Sequence, residues 1–171
     1  AFAQTRGRKA TYLLALVNAP ASGLVLFTCA VYLALYTPLK RVTTLNTVVG
    51  AVAGAIPPMV GYAAAAGRLG VPAWLLFGIL FVWQVPHFLG IAWMCREDYT
   101  RAGLKMLPVI DTDGRLTARQ ITLYSLTLLL ISLLPTLAAM TGFAYFGAAL
   151  ALGVGFVVCT LPLLVTRDRA S

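Results

Sequence analysis

The sequence predicts an all-α, polytopic transmembrane helical bundle, and three observations predict it. Of 171 residues, 60% are hydrophobic and only 11% are charged, whereas a soluble domain carries roughly 25% charged residues. The mean hydropathy is +0.88. The apolar residues gather into five runs, each about as long as a tilted membrane span. Such a chain has too little polar surface to cover a water-soluble fold, and far too much to bury for disorder. In lipid each span must satisfy its own backbone, so the runs read as helices.

The elements follow in order. Residues 1–9 are polar to basic and lack a cleavage-type sequence, so no secretory signal is expected. Residues 11–17 are apolar but too short to cross, and read as the tail of an earlier helix. Asn18-Ala19-Pro20 makes a turn, with Pro20 in the first turn of the next helix. The five spans are then placed at about 20–36, 46–66, 72–95, 118–139 and 143–165. Pro57-Pro58 breaks the second span and Pro86 lies inside the third. Residues 67–71 and 140–142 are minimal turns, and 37–45 is a short basic connection. Residues 96–117 form a long loop holding four of the five acids. Loops that long in compact proteins are commonly functional or disordered.

The formal net charge is +8, from 13 Lys and Arg against five Asp and Glu. The basic residues sit between apolar runs, as orientation in a bilayer requires, so no nucleic-acid partner is expected. With Lys40 and Arg41 placed in the cytoplasm, the 96–119 region, Arg167 and Arg169 fall on the same side, while Arg68 faces outward. If 11–17 ends an earlier span, Arg6, Arg8 and Lys9 join them, giving 12 of 13 basic residues inside. The competing reading, one long helix over 11–36 kinked at Pro20, puts those three outside. Cys29, Cys95 and Cys159 are far apart, without a C-x-x-C, and imply neither a disulfide framework nor a zinc site.

Four stretches carry possible chemistry. Arg96-Glu97-Asp98-Tyr99 follows the third span, with Arg101 and Lys105 beyond it. Adjacent carboxylates are hard oxygen ligands suited to Mg²⁺, which reaches proteins together with substrate phosphates. The basic neighbours suit the remaining phosphate oxygens. The alternative is a solvated loop anchoring a helix end. Tyr36-Thr37-Pro38-Leu39-Lys40-Arg41, with Asn46 beyond, is expected on the same membrane face. Lys40 and Arg41 either complement a diphosphate or serve as ordinary positive-inside anchors, and Asn46 taken alone reads as a helix cap or near-cap rather than a ligand. His87, the only histidine, lies within the apolar stretch Trp83-Gln84-Val85-Pro86-His87-Phe88. It reads either as a substrate contact or as a helix–helix hydrogen bond. Gln84 would share its helix face. On a continuous helix His87 would stand about 16 Å from Asp98. Finally, Gly50 and Gly54 form a G-x-x-x-G, which favours close helix packing.

These stretches, with Gly54-Ala55-Ile56-Pro57-Pro58, Gly103 and Met106-Leu107-Pro108, in this order and spacing, resemble the heme-farnesylating branch of the intramembrane UbiA prenyltransferase superfamily. The resemblance runs from about Asn18 to the end. It implies a UbiA-prenyltransferase-like bundle, of which residues 1–171 are the C-terminal part of a single domain. It implies transfer of the farnesyl group of farnesyl diphosphate to a vinyl group of heme B, with Mg²⁺ as cofactor and a downstream heme A synthase as partner. The membrane implied is the bacterial cytoplasmic or mitochondrial inner membrane. Glu97 and Asp98 map to the second of two metal-binding acidic motifs. Lys40, Arg41, Asn46, Arg96, Arg101 and Lys105 become candidates for substrate diphosphate, and His87 for a heme contact. Two departures stand out. The usual D-x-x-x-D is not met, since Arg101 and Ala102 occupy the fourth positions after Glu97 and Asp98. The first acidic motif is absent and belongs upstream of Ala1. A quinone-type prenyltransferase and a non-catalytic membrane subunit or transporter are the competing functions.

Overall fold

The computed structural model describes residues 17–165. The tail helix expected at 11–17 falls almost wholly outside them, as do Arg6, Arg8, Lys9, Arg167 and Arg169. Five helical stretches are long and apolar enough to cross a membrane: Ala19–Leu39, Asn46–Ala66, Val71–Met94, Arg115–Leu137 and Phe143–Leu164. They agree with the expected spans to within about three residues at each end, the scale on which helix ends are ordinarily assigned.

Each span has a physical start and stop. Helix α1 (Ala19–Ala30) is capped by Asn18, whose Oδ1 accepts from the Ala21 N–H at 3.0 Å. The same carboxamide donates to the carbonyls of Ala63 and Ala64, tying this cap to the end of the second span. The first span continues through a π-helical segment, Val31–Tyr36, into a last turn α2 (Thr37–Leu39). The π turn inserts a residue into the helix and stacks the Tyr32 and Tyr36 rings, centroids 5.0 Å apart. The connection expected at 37–45 therefore starts three residues later.

The second span breaks where its prolines lie. Helix α3 (Asn46–Ala55) ends at buried Ile56, and α4 (Pro57–Ala66) begins with the two prolines in its first turn. A proline there sacrifices only N–H groups that have no helical partner anyway. Gly67, at φ 70°, closes α4 in the left-handed conformation. Helix α5 (Val71–Met94) runs unbroken through Pro86 and stops at Cys95.

The expected loop at 96–117 contains two short helices, α6 (Arg96–Arg101) and α7 (Leu107–Ile110). Their prolines and charges gave no apolar periodicity to read. Helix α8 (Arg115–Leu137) starts after Gly114, which is at φ 68° with its Cα against the Trp93 ring, so a side chain fits there on neither count. Helix α9 (Phe143–Thr160) and a final turn α10 (Pro162–Val165) complete the described residues.

The spans pack in chain order, each on its neighbour, with α5 central between α3, α4 and α8. Alanines make the close approaches: Ala21, Ala51, Ala55, Ala63, Ala73 and Ala92 are fully buried. Larger side chains fill the middle, where Ala51, Val85, Leu89 and Ile121 meet Phe81, Leu107 and Tyr124. About 33% of the second and third spans is buried, against 6% of the last. The outer apolar faces are of the kind a bilayer covers.

Candidate active site

At the end of the bundle that carries α2, α6 and α7, two connections meet. The Lys105 N–H donates to the Lys40 carbonyl at 3.0 Å. The two basic stretches therefore share one end, as expected. Between them opens a cavity of about 470 Å³, and Lys40 is the one charged side chain among the described residues that line it. Its walls are aromatic and small: Tyr32 and Tyr36 from the π segment, Phe88 from α5, Tyr99 from α6, and Gly50 and Gly54 from α3.

The glycines of the G-x-x-x-G do more than bring backbones together. A Cβ on Gly50 would stand 2.8 Å from the Tyr36 ring, and one on Gly54 would collide with the Gln84 carboxamide. Each glycine makes room for a side chain that itself lines the cavity. Gln84 is buried and donates to the carbonyls of Leu80 and Ala51.

Glu97 and Asp98 lie in the first turn of α6, outside the cavity wall. Both are exposed and pair with Arg101, at 3.5 and 3.6 Å. Exposed pairs of this kind contribute little to stability and exchange readily with ligands. Arg41 and Lys105 are exposed and Arg96 is half-buried. Among the described residues no group of three or more metal-ligating side chains forms. Two adjacent carboxylates with open coordination positions nevertheless suit Mg²⁺, which keeps several waters and takes one or two carboxylates plus phosphate. The donor set fits the metal.

Several expectations need correction. His87 and Asp98 are not on one continuous helix, because the chain leaves helical geometry at Cys95 (φ −100°, ψ 26°) before α6 begins. Among the described residues His87 makes no interhelical hydrogen bond; it is exposed and stacks on Trp83 of its own helix, centroids 4.7 Å apart. Gln84, three residues earlier, is buried instead, so the two do not share an environment. Asn46 is near the cap as expected but is not the cap itself: it is the first helical residue after Leu45, and its amide donates to the carbonyls of Thr43 and Lys105.

Sequence reasoning gave no role to Tyr32, Phe88 or Leu104, nor to Tyr36 and Tyr99 within their motifs. The π-helical segment that brings Tyr32 beside Tyr36 hid the first of these. It also missed Asp111, which is buried and accepts from the Thr117 N–H and hydroxyl at 2.7 and 2.9 Å, anchoring the start of α8. The Asp-Gly turn at 113–114 was the available signal.

A second, larger and more open cleft of about 730 Å³ lies among α5, α8 and α9. Its lining is nearly all apolar and includes Leu80, Trp83, Leu128, Leu152 and Phe156. Five apolar helices packed as a bundle, with an aromatic cavity at one end lined by the charge of Lys40, define an integral membrane protein.

The chain belongs to the UbiA prenyltransferase family, whose model matches residues 9–171. It is 55% identical over 151 residues to the protoheme IX farnesyltransferase of Solibacter usitatus, covering 88% of this chain and 52% of that protein. It is 50% identical over 144 residues to the enzyme of that name from Koribacter versatilis, covering 84% and 46%. The corresponding protein of Opitutus terrae is 43% identical over 161 residues, covering 93% and 55%. The chain thus spans about half the length of the curated relatives it matches. No solved structure matches it.

Proposed function

We propose that the protein carrying this chain transfers the farnesyl group of farnesyl diphosphate to a vinyl group of heme B, giving heme O for heme A synthesis. The observation that carries this reading is the cavity at Lys40, aromatic inside and flanked by Glu97 and Asp98. It is supported by the shared name of relatives 43–55% identical to the chain.

In this reading the C1–O bond of farnesyl diphosphate breaks and the diphosphate leaves with the electron pair. The vinyl π electrons then form a bond to C1. Water adds to the remaining cation and gives up a proton. Lys40, with Arg41, Arg96, Arg101 and Lys105 around the rim, holds phosphate oxygens and stabilises their charge as it develops. Glu97 and Asp98 would hold Mg²⁺, and the chemistry expected of the metal is neutralisation of the leaving diphosphate. Tyr32, Tyr36, Phe88 and Tyr99 exclude water from the cavity until the new bond has formed. The apolar cleft among α5, α8 and α9 would offer room for an apolar part of a substrate. His87, with Trp83, would contact the porphyrin. The heme A synthase that consumes the product would sit in the same membrane, the bacterial cytoplasmic or mitochondrial inner membrane.

The acceptor is tested by offering heme B and an aromatic quinone precursor together to the purified full-length protein with farnesyl diphosphate and Mg²⁺. Prenylated heme alone is expected. Prenylated quinone precursor as the main product would overturn the choice of acceptor.

A further inference from the structure

We infer that Asn46 is a positioning residue for the diphosphate end of the site, acting by clasping two loops together. This rests on the reading that the cavity takes a prenyl diphosphate. Asn46 is 1% exposed. Its Nδ2 donates to the Thr43 carbonyl at 2.6 Å and, across the bundle end, to the Lys105 carbonyl at 2.8 Å. Both amide protons are thereby committed, and neither is left for a substrate.

The clasp is reciprocal. Lys105 is gripped at its carbonyl by Asn46 and at its N–H by the Lys40 carbonyl, 3.0 Å away. Leu104, one residue earlier, donates its N–H to the Tyr99 carbonyl at 3.0 Å. A continuous chain of hydrogen bonds therefore runs from the Lys40 loop through 104–105 to α6, the helix that carries Glu97 and Asp98. Thr47 adds to it, its hydroxyl 3.4 Å from the Asn46 Oδ1 and 4.0 Å from the Met106 sulfur.

The other backbone bonds between α6 and Lys105 are local, from the Ala102 N–H to Asp98 and from the Gly103 N–H to Thr100. The segment between α6 and α7 passes through Gly103 in a left-handed conformation, and Arg101, Ala102, Gly103 and Lys105 are all exposed. Apolar packing there is thin, so polar bonds decide the geometry. Removing the Asn46 amide leaves the Lys105 carbonyl without its donor and the Thr43 carbonyl with only the Asn46 backbone N–H at 3.4 Å, so the single Lys105–Lys40 backbone bond is left to hold the acidic helix to the Lys40 loop and loosens. A drift of about an ångström is enough to impair a preorganised site.

The test compares full-length wild type with Asn46→Asp and Asn46→Ala. Asn46→Asp keeps the size and replaces the donors by oxygens facing two carbonyls. The KM for farnesyl diphosphate should rise about tenfold or more, as loss of aligned charged contacts implies, while the KM for heme stays within about twofold. Hydrogen exchange should quicken together at 40–46 and 103–106 and stay unchanged in the spans. At acid pH the introduced carboxyl regains one O–H donor, so the Asn46→Asp defect should shrink. That recovery serves as the readout where Asn46→Ala fails to fold. An unchanged diphosphate KM, an equal loss for both substrates, or quickened exchange throughout would overturn the clasp. Binding of inorganic pyrophosphate with Mg²⁺ separates the two readings. If wild type binds pyrophosphate and both variants lose it, yet no heme is prenylated, the clasp stands and the proposed reaction fails.

Discussion

Asp98 and Tyr99 are consecutive residues of one short helix, and they face different surroundings. Tyr99 lines the aromatic cavity, while Asp98 is exposed and pairs with Arg101. A helix advances about 100° per residue, so a single turn of α6 serves both the cavity wall and its rim. In the proposed reaction the carboxylates would meet the substrate's charged head outside the cavity, and Tyr99 its apolar part within.

That placement makes the carboxylates separable from the apolar part of the site. Asp98→Asn, and to a lesser degree Glu97→Gln, should abolish Mg²⁺-dependent binding of farnesyl diphosphate while heme still binds. Calorimetry with farnesyl diphosphate and heme titration by absorbance, run on the same preparations, check this. Because both side chains are exposed, the thermal midpoint should move little.

Lys40 is the charge that lines the cavity. Lys40→Gln keeps a hydrogen-bond donor and removes the charge, so the KM for farnesyl diphosphate should rise about tenfold, the scale of one charge-assisted contact. Arg41→Gln, at an exposed neighbouring position, should cost much less. Equal effects would mean that the basic stretch acts as a diffuse field.

Gly54 is expected to be intolerant of any side chain. Its missing Cβ is the space that the Gln84 carboxamide fills. Gly54→Ala must push Gln84 off its bonds to Ala51 and Leu80, at a cost of about 1–3 kcal/mol from overpacking. Gly23, which faces open space, should accept alanine freely. Thermal unfolding in detergent, comparing the two substitutions, measures the difference.

The sequence-level reading succeeded where one physical signal acts alone. Span number and limits follow from apolar length, and the break at Pro57-Pro58 follows from missing N–H groups. The pairing of the Lys40 and Glu97 ends follows from alternating spans. Side-chain direction was harder to read. A π turn re-aims Tyr32 and Tyr36, and hydropathy does not register it. Asn46 read as a cap or near-cap, and its bond to Lys105 was not legible because that partner lies 59 residues away. His87 and Asp98 were joined by an assumed helix that Cys95 interrupts.

His87 carries a prediction that survives that correction. From His87 to the end of α5 at Met94 is about 10 Å of helix, which keeps the imidazole away from a head group at the rim. His87→Ala should therefore weaken heme binding and leave farnesyl diphosphate binding nearly unchanged. His87→Phe, which preserves stacking on Trp83, distinguishes ring packing from an imidazole-specific contact. Unchanged heme affinity in both variants would leave His87 only its ring contacts.

The most direct measurement is heme O formation in proteoliposomes from heme B, farnesyl diphosphate and Mg²⁺, read by mass spectrometry for the full-length protein and its Asp98→Asn variant. Wild type should yield heme B extended by one farnesyl group and one hydroxyl, and Asp98→Asn should yield none. No such product from wild type, or equal product from Asp98→Asn, would contradict a farnesyl transfer site at the Lys40–Asp98 end of the bundle.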